Sequence, residues 1–432
     1  MPQKSAVLRG LATFATAAIM AGCSAGESPL LTNALATPPD PSAAYNPSKP
    51  PSATKGPAKV ALLLPVSGMG PTAVLAKGLK QAAELALFDY ERPTIELIVK
   101  DDKGTPEGAI AAAEEALAEG AEIILGPLFA PSVKAVTPIA KRANVPVIAF
   151  SSDASVAGPG VYLMSFQVHQ EVDRVVAYAA SQGRKKFAAL VSDDAYGKLT
   201  EQAFRASVQR AGGTVAALQV YSAQAGNGMV QPAQRLVDAL NLAVDVGQPV
   251  DAVFLPGGPD VLAGLGPLMT SAGLDTTNIK LLGTGGWDNA GISRDATFVG
   301  GWYPAPDPAG WRSFTERFTK TFGNPPPRIA TLAHDAVGVA IALSTYAPGQ
   351  RYTVGTLTRP SGFNGADGAV RFLASGGTER DLAVLEVQKF GVNVVDPAPG
   401  SSPVVRAPQV EAALQPNRQV PVAPRIDHQD TN

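Results

Sequence analysis

The residues able to do chemistry are few and scattered. Three histidines, His169, His334 and His428, stand far apart, and none has a metal-ligand partner at a usual offset. Asp101-Asp102 and Asp193-Asp194 are carboxylate pairs at expected strand ends. Such pairs could act as acid and base, but loop aspartates that cap helices are far commoner. No Gly-Lys-Ser/Thr phosphate loop and no Gly-x-Ser-x-Gly elbow occurs. Gly68-Met69-Gly70 lacks the third glycine of a dinucleotide fingerprint. The sequence therefore gives no ground to expect an enzyme, a metal site or a cofactor.

What remains suits holding a small molecule unchanged. Ser67, Gly68, Ser132, Ser151 and Ser152 offer hydroxyls and backbone N–H groups near expected helix starts, where a carboxylate is favoured. Leu128, Phe129 and Asp153 belong to the same turns. Tyr196 and Trp287 offer amphipathic surfaces that could cover a ligand from a second lobe. Each serine could equally be a helix cap, and each aromatic could be packing at a cleft edge. As a set on strand ends, they favour binding of a small polar ligand.

These loops need strands and helices to carry them. Val60 to Leu64 is a short apolar run closed by Pro65, as in a strand buried on both faces. A two-glycine turn and the helical spacing of Leu75, Leu79, Ala82, Ala83 and Ala86 follow. The alternation continues with strands at 95–100, 123–125 and 145–150 and helices at 106–118 and 131–144. It restarts with helices at 173–181, 199–210, 233–243 and 259–272 and strands at 187–192, 215–221, 251–255 and 280–282. Helices at 311–322 and 329–346 and a strand pair at 369–372 and 383–390 close the body. The pattern predicts an α/β fold of two doubly wound, Rossmann-like lobes flanking a cleft.

The 432 residues suffice for two such lobes plus tails. Only 17% are charged, the net charge is −2, and no basic block is present, so no nucleic-acid partner is expected. Lys4 and Arg9, the apolar segment Leu11–Met20, and then Met20-Ala21-Gly22-Cys23 are similar to a bacterial lipoprotein signal. On that reading residues 1–22 are removed and Cys23, the sole cysteine, carries lipid; the alternative is a plain secretory signal with a chance cysteine. Ser24 resembles an outer-membrane sorting residue, which gives an expectation of a periplasmic protein anchored to the outer membrane. Residues 23–57 and 391–432 are rich in proline and are expected to be a tether and a disordered tail.

Four segments carry a resemblance. KVALLLPVSGMGP, LIVKDDKGTPEGAIAAAEEALAEGAEIILGPLFAPSV, ANVPVIAFSSD and FAALVSDDAYGKLTEQAFRASVQRAGG are similar to the leucine-binding type of periplasmic ligand-binding protein (type I), over roughly residues 58–390. The resemblance implies two lobes joined by three crossovers, near 163–167, 303–306 and 346–351. Lobe 1 would hold 58–164 with 306–346, and lobe 2 would hold 165–304 with 351–390. It also implies an amino-acid-like ligand, a transporter permease as partner, and a binding role for Tyr196. It departs at Asp153, where a hydroxyl residue is usual. The family's acid for the ligand amine would fall near Tyr221-Ser222, where no acid stands. The chain also looks like a lipoprotein branch of this fold, the penicillin-binding protein activators, which implies a peptidoglycan synthase as the alternative partner.

Overall fold

In the first strand, β1 (Ala58–Leu64), alternate side chains enter different cores. Val60, Leu62 and Leu64 face one, and Ala61 and Leu63 face the other, so helices must cover both faces of the sheet. The computed structural model describes residues 56–90, 94–222, 227–289 and 291–399, all within one compact unit. Cys23, the signal, most of the tether, residues 400–432 and His428 lie outside the described residues.

Helix α1 (Pro71–Phe88) follows, then β2 (Ile95–Asp101), α2 (Pro106–Ala118), β3 (Ile123–Leu125), α3 (Ala130–Ala143), β4 (Val147–Ala149) and β5 (Val161–Leu163). Thr105 caps α2 as its sequence suggests, its hydroxyl accepting from the Gly108 N–H. The five strands are all parallel, in the order β2-β1-β3-β4-β5. That order reverses direction between β1 and β3, where ligands of doubly wound sheets usually sit.

The second half repeats the winding. Helix α4 (Val168–Ser181) leads to β6 (Lys186–Ser192), α5 (Ala195–Arg210), β7 (Thr214–Tyr221), α6 (Val230–Asp245), β8 (Ala252–Phe254), α7 (Pro259–Ser271), β9 (Lys280–Leu282) and β10 (Trp302–Ala305). Strands β7-β6-β8-β9-β10 are parallel neighbours, with their own reversal between β6 and β8. Here too the central strand feeds two cores, Ala188 and Leu190 on one side and Phe187, Ala189 and Val191 on the other. Helix α4 begins five residues before its apolar stripe predicts, because its first turn holds the polar His169, Gln170 and Glu171.

The chain then returns to lobe 1. Helices α8 (Pro308–Phe322), α9 (Ala330–Ser344) and the short α10 (Val354–Leu357) precede an antiparallel sheet of β11 (Phe363–Gly365), β12 (Gly368–Phe372) and β13 (Thr378–Arg380). Phe314, Phe318, Tyr352, Leu357, Phe363, Val370 and Phe372 share one core with Leu62 and Leu64. Residues 351–372 therefore belong to lobe 1, not lobe 2, because their apolar side chains fill that core. The third crossing accordingly lies at 381–382 rather than 346–351. The chain also passes between the two sheets at 164–167 and 306–307.

Strand β14 (Ala383–Val387) joins the second sheet antiparallel to β10, and β15 (Val392–Asp396) adds to its edge. The start of the expected tail is thus an edge strand. Arg174 of α4 ties it down with a 2.7 Å ion pair to Asp396.

Candidate functional site

The lobe 1 candidates sit on loops after β1, β3 and β4, which are adjacent in the sheet. Asp101 Oδ1 accepts the backbone N–H groups of Ser67 (3.3 Å) and Lys103 (3.0 Å), so the end of β2 holds the first loop in place. Burial opposes ionisation of Asp101, but the bonds from Ser67 and Lys103 outweigh it and keep its pKa below the usual range. Gly126 has φ of +88° and stands against the Leu63 carbonyl, leaving no room for a side chain there. Its N–H donates to the Ile148 carbonyl at 2.7 Å, and the Gly126–Pro127 peptide is cis. The half-buried Phe129 ring lies across the loop after β2, 3.2 Å from where a Cβ on Gly104 would stand.

Not every candidate is available to a ligand. Ser67, Ser152 and Asp153 are exposed, and Gly68 and Phe129 are partly so. Leu128 is core, and Ser132 is buried in the first turn of α3. Ser151 is buried, its Oγ accepting the Asp153 N–H at 3.2 Å. Asp153 caps a single 3-10 turn, Ala154–Val156, by accepting the Ser155 N–H at 2.9 Å. The bonds from Ser155 hold its pKa low, so its place is fixed by the turn.

In lobe 2, Asp194 Oδ1 accepts the Gly197 N–H and the Ser192 hydroxyl, both at 2.7 Å, and so caps α5. That cap presents Tyr196, which is 37% exposed, beyond β6. The Tyr196 hydroxyl shares a 2.8 Å hydrogen bond with Thr284 Oγ1, beyond β9. Trp287 behaves otherwise. It is fully buried, donates its indole N–H to the Leu255 carbonyl at 3.0 Å, and meets Phe298 edge-on. The 3-10 turn Gly285–Trp287 rotates the ring into the lobe 2 core, so it supports the loop and does not cover the cleft.

Sequence reasoning missed the group at the base of the cleft. Phe166 from the first crossing, Pro306 from the second with Pro304 and Ala305 at the end of β10 before it, and Leu382 from the third line one pocket of about 150 Å³. Its polar wall is Glu171 at the start of α4, Gly285 and Asp288 after β9, and Arg328 before α9. Arg328 reaches between lobes, with Nε 3.1 Å from Asp288 and a terminal nitrogen 3.1 Å from the buried Asp367. Its guanidinium also lies over Trp311 and Phe166. Arg380 lies over Phe166 as well, 4.8 Å from the ring centre. Glu171 is 9% exposed, and one carboxylate oxygen accepts the Gly285 N–H at 3.0 Å. Burial lifts its carboxyl to about 7, and the Asp288 charge adds to the effect. The available signal was Glu171's position, four residues before Val175 on the buried stripe of α4.

Larger openings lie elsewhere. A groove of about 580 Å³ lies between α6 and the starting ends of β8 and β9, away from the loops at the carboxyl ends of those strands. Among the described residues no group of three or more His, Cys, Asp or Glu side chains could hold a metal ion. His169 is exposed on α4, and His334 belongs to an ion-pair cluster with Asp335 and Asp89.

Comparison with known proteins agrees with this architecture. A Leu/Ile/Val-binding protein homolog of Brucella melitensis is 29% identical over 296 residues, 65% of this chain and 72% of that protein. A solved structure from Rhodospirillum rubrum, provisionally assigned to a branched-chain amino acid ABC transporter, superposes with a TM-score of 0.68 at 16% identity, covering 78% of this chain and 99% of the other. A Desulfitobacterium hafniense ABC transporter substrate-binding protein in complex with Leu gives 0.59 at 18% identity, covering 78% and 99%. The model of the periplasmic binding protein family matches residues 57–391, and the chain belongs to that family.

Proposed function

We propose that this protein is the periplasmic receptor of an ABC-type transporter and binds a small, amino-acid-like solute between its lobes without altering it. The observation that carries this reading is the pairing of two reversal points, one per lobe, with a pocket lined by all three crossings. The lobe 1 contacts would come from Ser67, Gly68, Phe129 and Ser152, with the exposed Ser67 and Ser152 hydroxyls receiving a carboxylate, since the Ser67 and Gly68 N–H groups are held by Asp101 and the Pro65 carbonyl. Tyr196 would close over the ligand from lobe 2. The named relatives are solute-binding and transporter proteins, which favours a solute receptor over a regulator of peptidoglycan synthesis. We further read Cys23 as the lipid attachment site, anchoring the receptor at a membrane, with the outer membrane favoured by Ser24.

A thermal-shift screen against the amino acids tests the receptor reading. A ligand at 100 times its Kd adds about 2.7 kcal/mol, a shift of several degrees. No shift with any solute, together with unchanged uptake in a deletion strain, would remove it. Metabolic labelling with palmitate tests the anchor: wild-type protein should carry label and Cys23→Ala should not.

A further inference from the structure

We propose that Glu171 is the anionic group that receives a protonated amine of the ligand at the base of the cleft. The inference rests on the receptor reading and adds where the positive end of the solute binds. An acid is absent from Tyr221-Ser222, and the structure supplies one from another element, the first turn of α4.

Four observations converge on this carboxylate. It is nine-tenths buried, and only one of its oxygens is engaged, by the Gly285 N–H. Among the described residues no donor reaches the other oxygen, Oε1. Glu171 and Gly285 both line the pocket, and a Cβ on residue 285 would stand 2.6 Å from Oε1. The glycine therefore leaves the carboxylate room to face the cavity.

Among the described residues no cation neutralises it. Arg328 is held by Asp288 and Asp367. Arg380 lies against Phe166 and Met164, and its charged neighbours are Asp335, Asp367 and Arg328. The charge acting most on Glu171 is another carboxylate, Asp288, and the Tyr196 phenol, bonded to Thr284 next to Gly285, also feels the Glu171 charge. A buried carboxylate without a cationic partner is costly, and an entering ammonium would offset that cost. The rest of the wall is Phe166, Pro304, Ala305, Pro306, Ile329 and Leu382, which suits the carbon next to an amine. At about 150 Å³ the cavity holds roughly five water-sized groups, enough for one end of a ligand but not for a bulky solute.

The test uses the full chain and a panel of amino acids, each paired with the hydroxy acid of the same skeleton, read by calorimetry at pH 7. The expected result is that amino acids bind the wild type and their hydroxy-acid partners bind at least thirtyfold more weakly. Binding should release a proton, seen as a heat that depends on the buffer's ionisation enthalpy, and Glu171→Gln should weaken amino acids at least thirtyfold and abolish the release. The wild-type comparison needs no variant, so it stands even if Glu171→Gln folds poorly. Hydroxy acids that bind as well as amino acids, or a Glu171→Gln protein that binds amino acids unchanged, would overturn the amine site and leave the receptor reading intact. A panel in which nothing binds would overturn both.

Discussion

Asp194 and His334 show two polar side chains whose roles are set by neighbours a few ångströms away. Asp194 satisfies the first turn of α5, and that turn carries Tyr196. Asp194→Ala should cost about 1 kcal/mol in urea unfolding and weaken any ligand that Tyr196 touches. An unchanged midpoint would show that the cap is dispensable. His334 sits with Nδ1 3.2 Å from Asp335 and Nε2 3.0 Å from Asp89, which also pairs with Arg317. Burial opposes charge on the ring, but the bonds to Asp335 and Asp89 prevail and lift it to about 9. A histidine raised above its unfolded value of about 6.5 stabilises the fold fully below that pH, and the benefit fades as pH rises through about 9. On the order of 2 kcal/mol should be lost between pH 6.5 and 10 in the wild type and not in His334→Gln. Parallel Tm-versus-pH curves for the two proteins would refute this.

Among the elements, the crossings matter most, because any motion of one lobe against the other would have to be absorbed there. The Arg328–Asp288 pair spans from the start of α9 to the loop after β9 and so links the lobes. Asp288→Asn keeps the shape, and Arg328 retains Asp367. A change of about 1.4 kcal/mol would alter the ratio of open to closed forms tenfold. Small-angle scattering of the ligand-free variant should give a larger radius of gyration than the wild type; identical profiles would mean that the pair does not hold the lobes.

The strands and helices that support this region were legible because aliphatic runs and glycine turns report burial directly. The loops after β1, β3 and β4 were legible too, since they follow those runs. Trp287 misled because a sequence cannot show that a 3-10 turn points its ring inward. Glu171 was hidden by the polar first turn of α4, whose period appears only once Val172 and Val175 are seen to be buried. The assignment of 351–372 failed because antiparallel strands carry no mark of which lobe their apolar side chains fill.

Across the whole protein, the core around Leu62 draws on both ends of the described chain. Ile95, Phe150 and Tyr162 meet Phe314, Ala336, Phe363 and Phe372 in it, although all of β6 to β10 lies between them in sequence. The lobe 2 cores likewise wait for Val384, Leu385 and Val387 of β14. A fragment ending at Pro306 contains every parallel strand yet lacks Phe314, Phe318, Tyr352, Phe363 and Phe372 of the first core. It should unfold without a cooperative transition and be digested rapidly by a nonspecific protease, and a sharp melting curve from it would disprove this. While the polypeptide is being synthesised, then, neither lobe can complete its interior until almost the last strand is available. For a protein whose family works in the periplasm, a chain in that condition would stay pliable enough to be threaded through a translocation pore and would lock into shape only on the far side.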